Sequence, residues 1–286
     1  MMQTASQATP YLVAHITDLH IKAGGKLSYR RVDTADALRQ CIDTLLALPQ
    51  RPDIAVVTGD LVDFGSEDEY RFLRGILETL PIPVRLMPGN HDSRDALRRV
   101  FADHAYLFAA GDGDSPVHYR IEAGPLTLIA FDCTVPRHSG GRVDPDALPW
   151  LEAALAVAPE RPTLLMLHHP PFHTGIGHMD KQGLENAALL EAVVRRHPQV
   201  ERVLCGHLHR HITRRFGGTI AMTAPGPAHQ VALDLDPQAA SRFRMEPPGF
   251  LLHWWHQVHG LVTHAAPIGD HGPAYPFFDA EGRLID

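Results

Sequence analysis

Cysteine is scarce: Cys41, Cys133 and Cys205 are the only three among 286 residues. An odd, sparse set lying in apolar runs excludes a disulfide framework and reads as reduced core thiols. No apolar run approaches the roughly 20 residues that a membrane-spanning helix needs. The first ten residues, MMQTASQATP, lack the basic start and apolar stretch of a secretory leader. The expectation is a cytoplasmic protein with no membrane partner. Positive charge is short as well, with 26 Lys and Arg against 33 Asp and Glu and a net charge of -7. The arginines fall in scattered doublets such as Arg30-Arg31 and Arg214-Arg215, without a basic stripe. A nucleic-acid polymer is therefore not expected as a partner. A small phosphate ester is compatible, because bound metal ions would reverse the local field.

Histidine, by contrast, is abundant, with 20 residues. One group, His253, His256, His259, His264 and His271, decorates the C-terminal region and reads as surface or packing residues. About eight of the others fall in or near the metal-ligand segments described below. Residues 11–17, 54–58, 84–87, 163–167 and 200–205 read as buried strands, and 32–48, 67–80 and 184–196 have helical spacing. Ser93 opens a short Arg-rich helix, and Asp144 and Pro145 open another that runs to Ala156. Two further strands, 117–122 and 126–131, flank a Gly124-Pro125 turn. After Gly206 short strands take over, at 211–216, 219–223 and 229–235, and 249–263 reads as a hairpin turning near His259-Gly260. This order predicts an α/β fold: one domain over 11–268 with two β-rich layers and helical cover, 1–10 and 269–286 being extended termini.

Five of the predicted strands lead into metal-ligand residues: Asp18-Leu19-His20, Gly59-Asp60-Leu61-Val62-Asp63, Gly89-Asn90-His91-Asp92, His168-His169-Pro170-Pro171 and Gly206-His207-Leu208-His209. Each segment alone has an ordinary reading as a polar strand end or a helix-entry turn. Asp18 and His20, like His207 and His209, are two apart, which in extended chain turns both side chains the same way. Asp60 has two oxygens with which to bridge a pair of ions, and Asp63 reads as a supporting or capping residue. The Asn90 amide would add an oxygen donor without negative charge. His91 is suited to hydrogen-bond a phosphate or protonate a leaving group. Seven ligands (Asp18, His20, Asp60, Asn90, His168, His207 and His209) serve two ions if Asp60 is shared. A mixed N and O set without thiolate suits Mn, Fe, Co or Zn.

With these segments in this order, the chain resembles the calcineurin-like metallophosphoesterases, whose motifs run D-x-H, GD-x-x-D, GNH, H-x-P and GH-x-H. It looks closest to the bacterial cyclic-nucleotide (class III) and glycerophosphodiester branch. The resemblance implies a four-layer αββα sandwich with a C-terminal β hairpin or cap. It implies two divalent or trivalent metal ions per chain. Asp18, His20, Asp60 and His209 would bind the first, and Asp60, Asn90, His168 and His207 the second. His91, with Asp60, is the catalytic assignment, His91 acting on phosphate without binding metal. The resemblance further implies a homodimer or higher homo-oligomer. His173, His178 and Asp180 fall in a loop like the substrate-facing loop of the glycerophosphodiester branch. Phe64 stands where protein phosphatases of the family carry an Arg, and Asp92 where they carry a Glu. That departure favours a small phosphodiester, such as 3′,5′-cyclic AMP or a glycerophosphodiester, over a phosphoprotein. The rival readings are a phosphomonoesterase or nuclease on the same site, and a metal-assembled scaffold without turnover.

Overall fold

Strand and helix alternate through the first hundred residues. A computed structural model describes residues 9–285. It opens with β1 (Tyr11–Ile16), α1 (Thr34–Ala47), β2 (Ile54–Thr58), α2 (Glu67–Leu77), β3 (Val84–Met87) and α3 (Arg94–Val100). The middle of the chain forms β4 (Tyr119–Ala123), β5 (Leu126–Ala130), β6 (Gly141–Arg142), α4 (Leu148–Ala156) and β7 (Thr163–Met166). There follow α5 (Gly177–Asp180), β8 (Leu184–Glu185), α6 (Ala187–Arg196) and β9 (Val200–Cys205). The rest is β: β10 (Ile212–Phe216), β11 (Thr219–Thr223), β12 (Gln230–Val231), β13 (Phe243–Arg244), β14 (Gly249–His256) and β15 (Gly260–Pro267). The helix starts follow local chemistry. Asp33 caps α1 by accepting from the Asp36 amide, and Ser66 and Glu69 cap α2 reciprocally.

Two large sheets carry the fold, one ordered β15-β14-β1-β2-β3 and the other β10-β11-β9-β7-β5-β4. Side-chain alternation shows how they stack. From β5, β7 and β9, Leu128, Leu164, Met166 and Leu204 join the core that also holds β1, β2 and α1 to α3. Their neighbours Ile129, Leu165, Val203 and Cys205 point the other way, into a second core with Leu151 and Leu155 of α4 and Leu190 and Val194 of α6. The layers therefore run helix, sheet, sheet, helix, the αββα sandwich. The C-terminal hairpin lies in the first sheet, where β14 pairs antiparallel with β1.

Two expected elements differ. The helix read over 184–196 starts only at Ala187, because Leu184 and Glu185 pair with Gly141 and Arg142 and Asn186 adopts φ 60°. The strand read over 229–235 shrinks to Gln230–Val231, which pairs with Phe243–Arg244 as an isolated ribbon.

A buried ion pair ties the two halves together. Arg94 of α3 donates to the Asp132 carboxylate at 2.7 Å, and Asp132 also accepts from Val117 and Thr134. Burial pushes the Asp132 carboxyl up, but the Arg94 charge and these hydrogen bonds outweigh it and hold it below the usual range. The Asp132 amide donates to His118 Nδ1 at 3.0 Å, and the imidazole stacks on both Phe131 and Trp150, with ring centroids 4.7 and 4.9 Å away. Burial lowers His118 from 6.5 to about 4. Between those values the unfolded chain binds a proton that the folded protein refuses, so stability falls as pH drops through that window. His118→Phe is expected to flatten the pH dependence of urea-derived stability there, by up to about 1.4 kcal/mol per pH unit. Parallel curves for the two proteins would show that His118 does not carry this dependence.

Candidate metal centre

The parallel strands β1, β2 and β3 of one sheet and β7 and β9 of the other all run toward one edge of the sandwich. The five motif loops leave from these ends, where binding sites of open α/β sheets form. Backbone hydrogen bonds lace the loops together: the Asp18 amide to the Gly59 carbonyl at 3.1 Å, His20 to Asp60 at 3.0 Å, and Gly206 to His168 at 2.9 Å. Gly206 must be a glycine, since a Cβ there would lie 2.0 Å from Thr17 Oγ1 and 2.9 Å from the Thr58 carbonyl.

The ligand side chains converge by a route that strand alternation does not describe. β1 ends at Ile16, and Asp18 and His20 both adopt left-handed backbone, at φ 56° and 45°. Asp60, His207 and His209 do the same, at 49°, 70° and 49°. Non-glycine residues in this region each carry roughly 1 kcal/mol or more of strain, which persists where the surroundings over-determine it and gathers at functional sites. Tight left-handed turns, rather than extended chain, bring the i and i+2 side chains together.

The hydrogen bonds also fix which nitrogen of each ring faces inward. His168 Nδ1 donates to the Thr58 carbonyl at 2.7 Å, and His209 Nδ1 to the His229 carbonyl at 3.2 Å. His20 Nδ1 lies 3.3 Å from Asp63 Oδ1, whose other oxygen takes Lys22 Nζ at 2.9 Å. Each ring is thereby left with Nε2 toward the centre, the arrangement in which outer partners set a metal-binding tautomer. His20 Nε2 and His209 Nε2 stand 3.2 Å apart, with Asp60 Oδ2 3.5 Å from the former and Asp18 Oδ1 3.7 Å from the latter. His168 Nε2 stands 3.1 Å from Asn90 Oδ1 and 3.4 Å from Asp60 Oδ1. Lone pairs facing one another at such distances call for positive charge among them. Among the described residues, Asp18 Oδ2 and His207 Nε2 are buried with no hydrogen-bond partner. These donors fit a pair of metal ions, with Asp60 between the two groups.

The electrostatics agree with that fit. Burial raises Asp60, yet His168, His91 and His20 outweigh it and hold its carboxyl well below the usual range. Burial lowers His168, but the Asp60 carboxylate dominates and lifts it to about 9, so the site draws positive charge to that spot. Burial pushes Asp18 up to about 6. It also keeps His207 and His209 neutral, the form with a lone pair to share.

His91 sits beside this group. Its amide donates to Asp60 Oδ1 at 3.0 Å and its Nδ1 to the Asp63 carbonyl at 2.8 Å. Nε2 is left free on a half-buried ring that lines a cavity of about 380 Å³. Asp92 turns inward, accepting from Leu61, Val62, Gly89 and the Tyr70 hydroxyl, while Ser93 caps α3. Of the three candidates in the predicted substrate loop, His173, His178 and Asp180, His178 lines the cavity of the metal-ligand group, beside Met179. His173 and Asp180 line a separate cavity of about 400 Å³, and the Asp180 carboxylate is occupied by the Thr174 and Gly175 amides. His169 bonds the Ser139 carbonyl through Nε2, and a ring nitrogen of it stands within 4.8 Å of ring nitrogens of His168 and His207. Tyr29, Gln182, His229, Val231, Ser241, Arg242 and Phe243 complete the wall, and no local pattern in the sequence marks them.

Residues 11–211 match the family described as calcineurin-like phosphoesterase. A probable glycerophosphodiester phosphodiesterase GpdQ from Arcobacter nitrofigilis is 37% identical over 96% of this chain and 100% of its own length. A probable cyclic nucleotide phosphodiesterase from Rhodopseudomonas palustris is 34% identical, over 93% of this chain and 95% of its own length. Among solved structures, a dimetal phosphatase from Danio rerio superposes with a TM-score of 0.62, at 16% identity, covering 90% of this chain and 96% of its own. At that identity the likeness concerns the fold alone.

Proposed function

The chain belongs to the calcineurin-like phosphoesterase family, and on that premise we propose that it hydrolyses a small phosphodiester, a glycerophosphodiester or a 3′,5′-cyclic nucleotide, at a two-metal centre. Asp18, His20, Asp60 and His209 would hold one ion, and Asp60, Asn90, His168 and His207 the other. The N and O donor set suits Mn, Fe, Co or Zn. Such ions supply an attacking water that ionises near neutral pH and positive charge for the phosphoryl oxygens. The observation that carries the reading is the inward convergence of three tautomer-fixed imidazoles on Asp18, Asp60 and Asn90.

The chain's own residues then divide the work. Asp60 holds the two groups in one frame and fixes the His91 loop through its amide. Asn90 contributes an oxygen without adding negative charge that would repel the phosphodiester. His91, pinned at Nδ1, presents Nε2 to the phosphoryl group and, in its doubly protonated form, passes the Nε2 proton to the departing alkoxide oxygen, leaving a neutral ring. Relatives named for glycerophosphodiesters and for cyclic nucleotides both align over nearly the whole chain, which supports the diester class. Among the described residues no helix is long and apolar enough to cross a membrane. Three buried free thiols suit a reducing compartment, and we place the protein in the cytoplasm. A homodimer would have apolar surface to use in Tyr275, Phe277 and Phe278, all exposed.

The test is steady-state hydrolysis by the Mn²⁺-loaded protein of glycerophosphocholine, cyclic AMP, bis(p-nitrophenyl) phosphate and p-nitrophenyl phosphate. The diesters are expected to exceed the monoester in kcat/KM. A clear preference for the monoester would overturn the assignment.

A further inference from the structure

Phe64 stands where a phosphate-binding Arg occurs in related phosphatases, and it does not restore a cation to the cavity. It is 73% exposed, and its ring lies 4.3 Å from Lys22 Nζ, which is committed to Asp63. Arg242 immediately precedes β13 of the β12–β13 ribbon, is solvent-exposed, and among the described residues is the only Lys or Arg that lines the cavity. Among the described residues it has no carboxylate partner, whereas nearby Arg210 pairs with Glu246 at 2.7 Å.

The ribbon is firmly placed. Phe243 packs against Tyr29 and His229 with ring centroids 5.1 and 5.2 Å away, and Tyr29 against His229 at 5.4 Å. The Arg242 carbonyl accepts from the Ala232 amide at 2.9 Å. The His229 carbonyl is the acceptor that orients His209, so the ribbon is hydrogen-bonded into the metal-ligand group itself. Tyr29 and Arg30 form a tight turn with both residues left-handed, at φ 51° and 56°, a conformation that favours glycine. Strain of this kind points to a placement that matters. The three rings already touch one another. A planar base sandwiched between two of them would need roughly 7 Å, so they act as a support, not a clamp.

Resting on the phosphodiesterase reading above, we propose that Arg242 is the specificity-determining residue of this cavity, and that it pairs with a second negative charge on the alcohol part of the diester. The reacting phosphoryl group has its charge answered at the metal centre. A surplus guanidinium at the rim, unmatched by any protein carboxylate, then faces the remote end of the substrate. Its planar fork suits a carboxylate or a phosphate there. The same charge disfavours a diester that ends in a lone ammonium.

Glycerophosphoserine and glycerophosphoethanolamine differ only by the carboxylate, which makes them a matched pair. Both are scored as competitors of bis(p-nitrophenyl) phosphate hydrolysis by the Mn²⁺-loaded protein, which reads affinity whether or not they turn over. The serine compound is expected to compete about 10- to 100-fold better, the span of one charge-assisted contact. Arg242→Gln is expected to erase that ratio, Arg242→Lys to keep part of it, and Arg242→Glu to reverse it. Equal competition in the wild type, or a loss in Arg242→Gln that is the same for both compounds, overturns the inference while leaving the phosphodiesterase reading intact. Failure of the wild type to hydrolyse bis(p-nitrophenyl) phosphate overturns both.

Discussion

Asp60→Ala is expected to lower kcat on bis(p-nitrophenyl) phosphate at least about 1000-fold and to cut bound metal from two ions per chain to one or none. The reason is geometric. Oδ2 of Asp60 faces the His20 side of the centre and Oδ1 the His168 side, so one substitution takes an oxygen from both proposed ligand sets. The same oxygen that faces His168 also holds the His91 amide at 3.0 Å, so the residue proposed to protonate the leaving group loses its support as well. Stability should fall as well. Asp60 is buried, yet His168, His91 and His20 hold its carboxyl well below the usual range, so its charge is paired in the metal-free protein. Removing it should leave the His168 imidazole and the His91 amide without their partner and make the apo form less stable than the wild type. Added Mn²⁺ should then stabilise the wild type strongly, as any ligand of the folded state does, and Asp60→Ala hardly at all. Elemental analysis and thermal melts with and without Mn²⁺ read both effects. Two ions per chain in the variant, with turnover within tenfold of wild type, would show that Asp60 does not join the two sites.

Gly89→Ala should be nearly as damaging, through backbone rather than chemistry. A Cβ at position 89 would lie 2.2 Å from the Asp60 amide nitrogen, 2.3 Å from Asp60 Oδ1 and 2.8 Å from His168 Cε1. The Asp60 amide belongs to the main chain and cannot swing aside, so the loops after β2 and β3 must separate. Overpacking of this kind costs roughly 1–3 kcal/mol. A shift of about 1 Å among reacting groups costs on the order of 100-fold in rate. Urea denaturation and kcat on the artificial diester measure the two. Gly75→Ala is the control, because that glycine sits inside α2 with nothing within 4 Å of its would-be Cβ. It should gain about 0.5–1 kcal/mol. Equal behaviour of the two variants would mean that the close approach at Gly89 is not a constraint on the site.

The legible parts of the fold were those with local causes. β2, Ile54–Thr58, is β-branched at every position but Ala55 and buried along its whole length, and its composition and length mark it. The misread parts depended on partners far away. Leu184 and Glu185 continue a helical pattern, yet two backbone pairings to Gly141 and Arg142 and the left-handed Asn186 delay α6. Residues 229–235 have strand composition, but among the described residues the ladder covers Gln230 and Val231 alone, with one further hydrogen bond from Ala232 to the Arg242 carbonyl.

The same division governs the site. Each group of proposed ligands lies within a few residues of a strand end, three of them beside Gly59, Gly89 or Gly206, and that is information a linear chain carries. The family and the strand-end location of the proposed ligands could therefore be read without coordinates. Tertiary packing alone decided that left-handed turns bring the side chains together, that the Thr58 and His229 carbonyls and the Asp63 carboxylate orient three imidazoles, and that His173 and Asp180 face a different cavity. It also decided the wall: Tyr29 and Phe243 stack on one another across more than 200 residues of chain. Contacts at that separation leave no periodicity or spacing in the sequence, because chain closure makes them and local conformational preference does not.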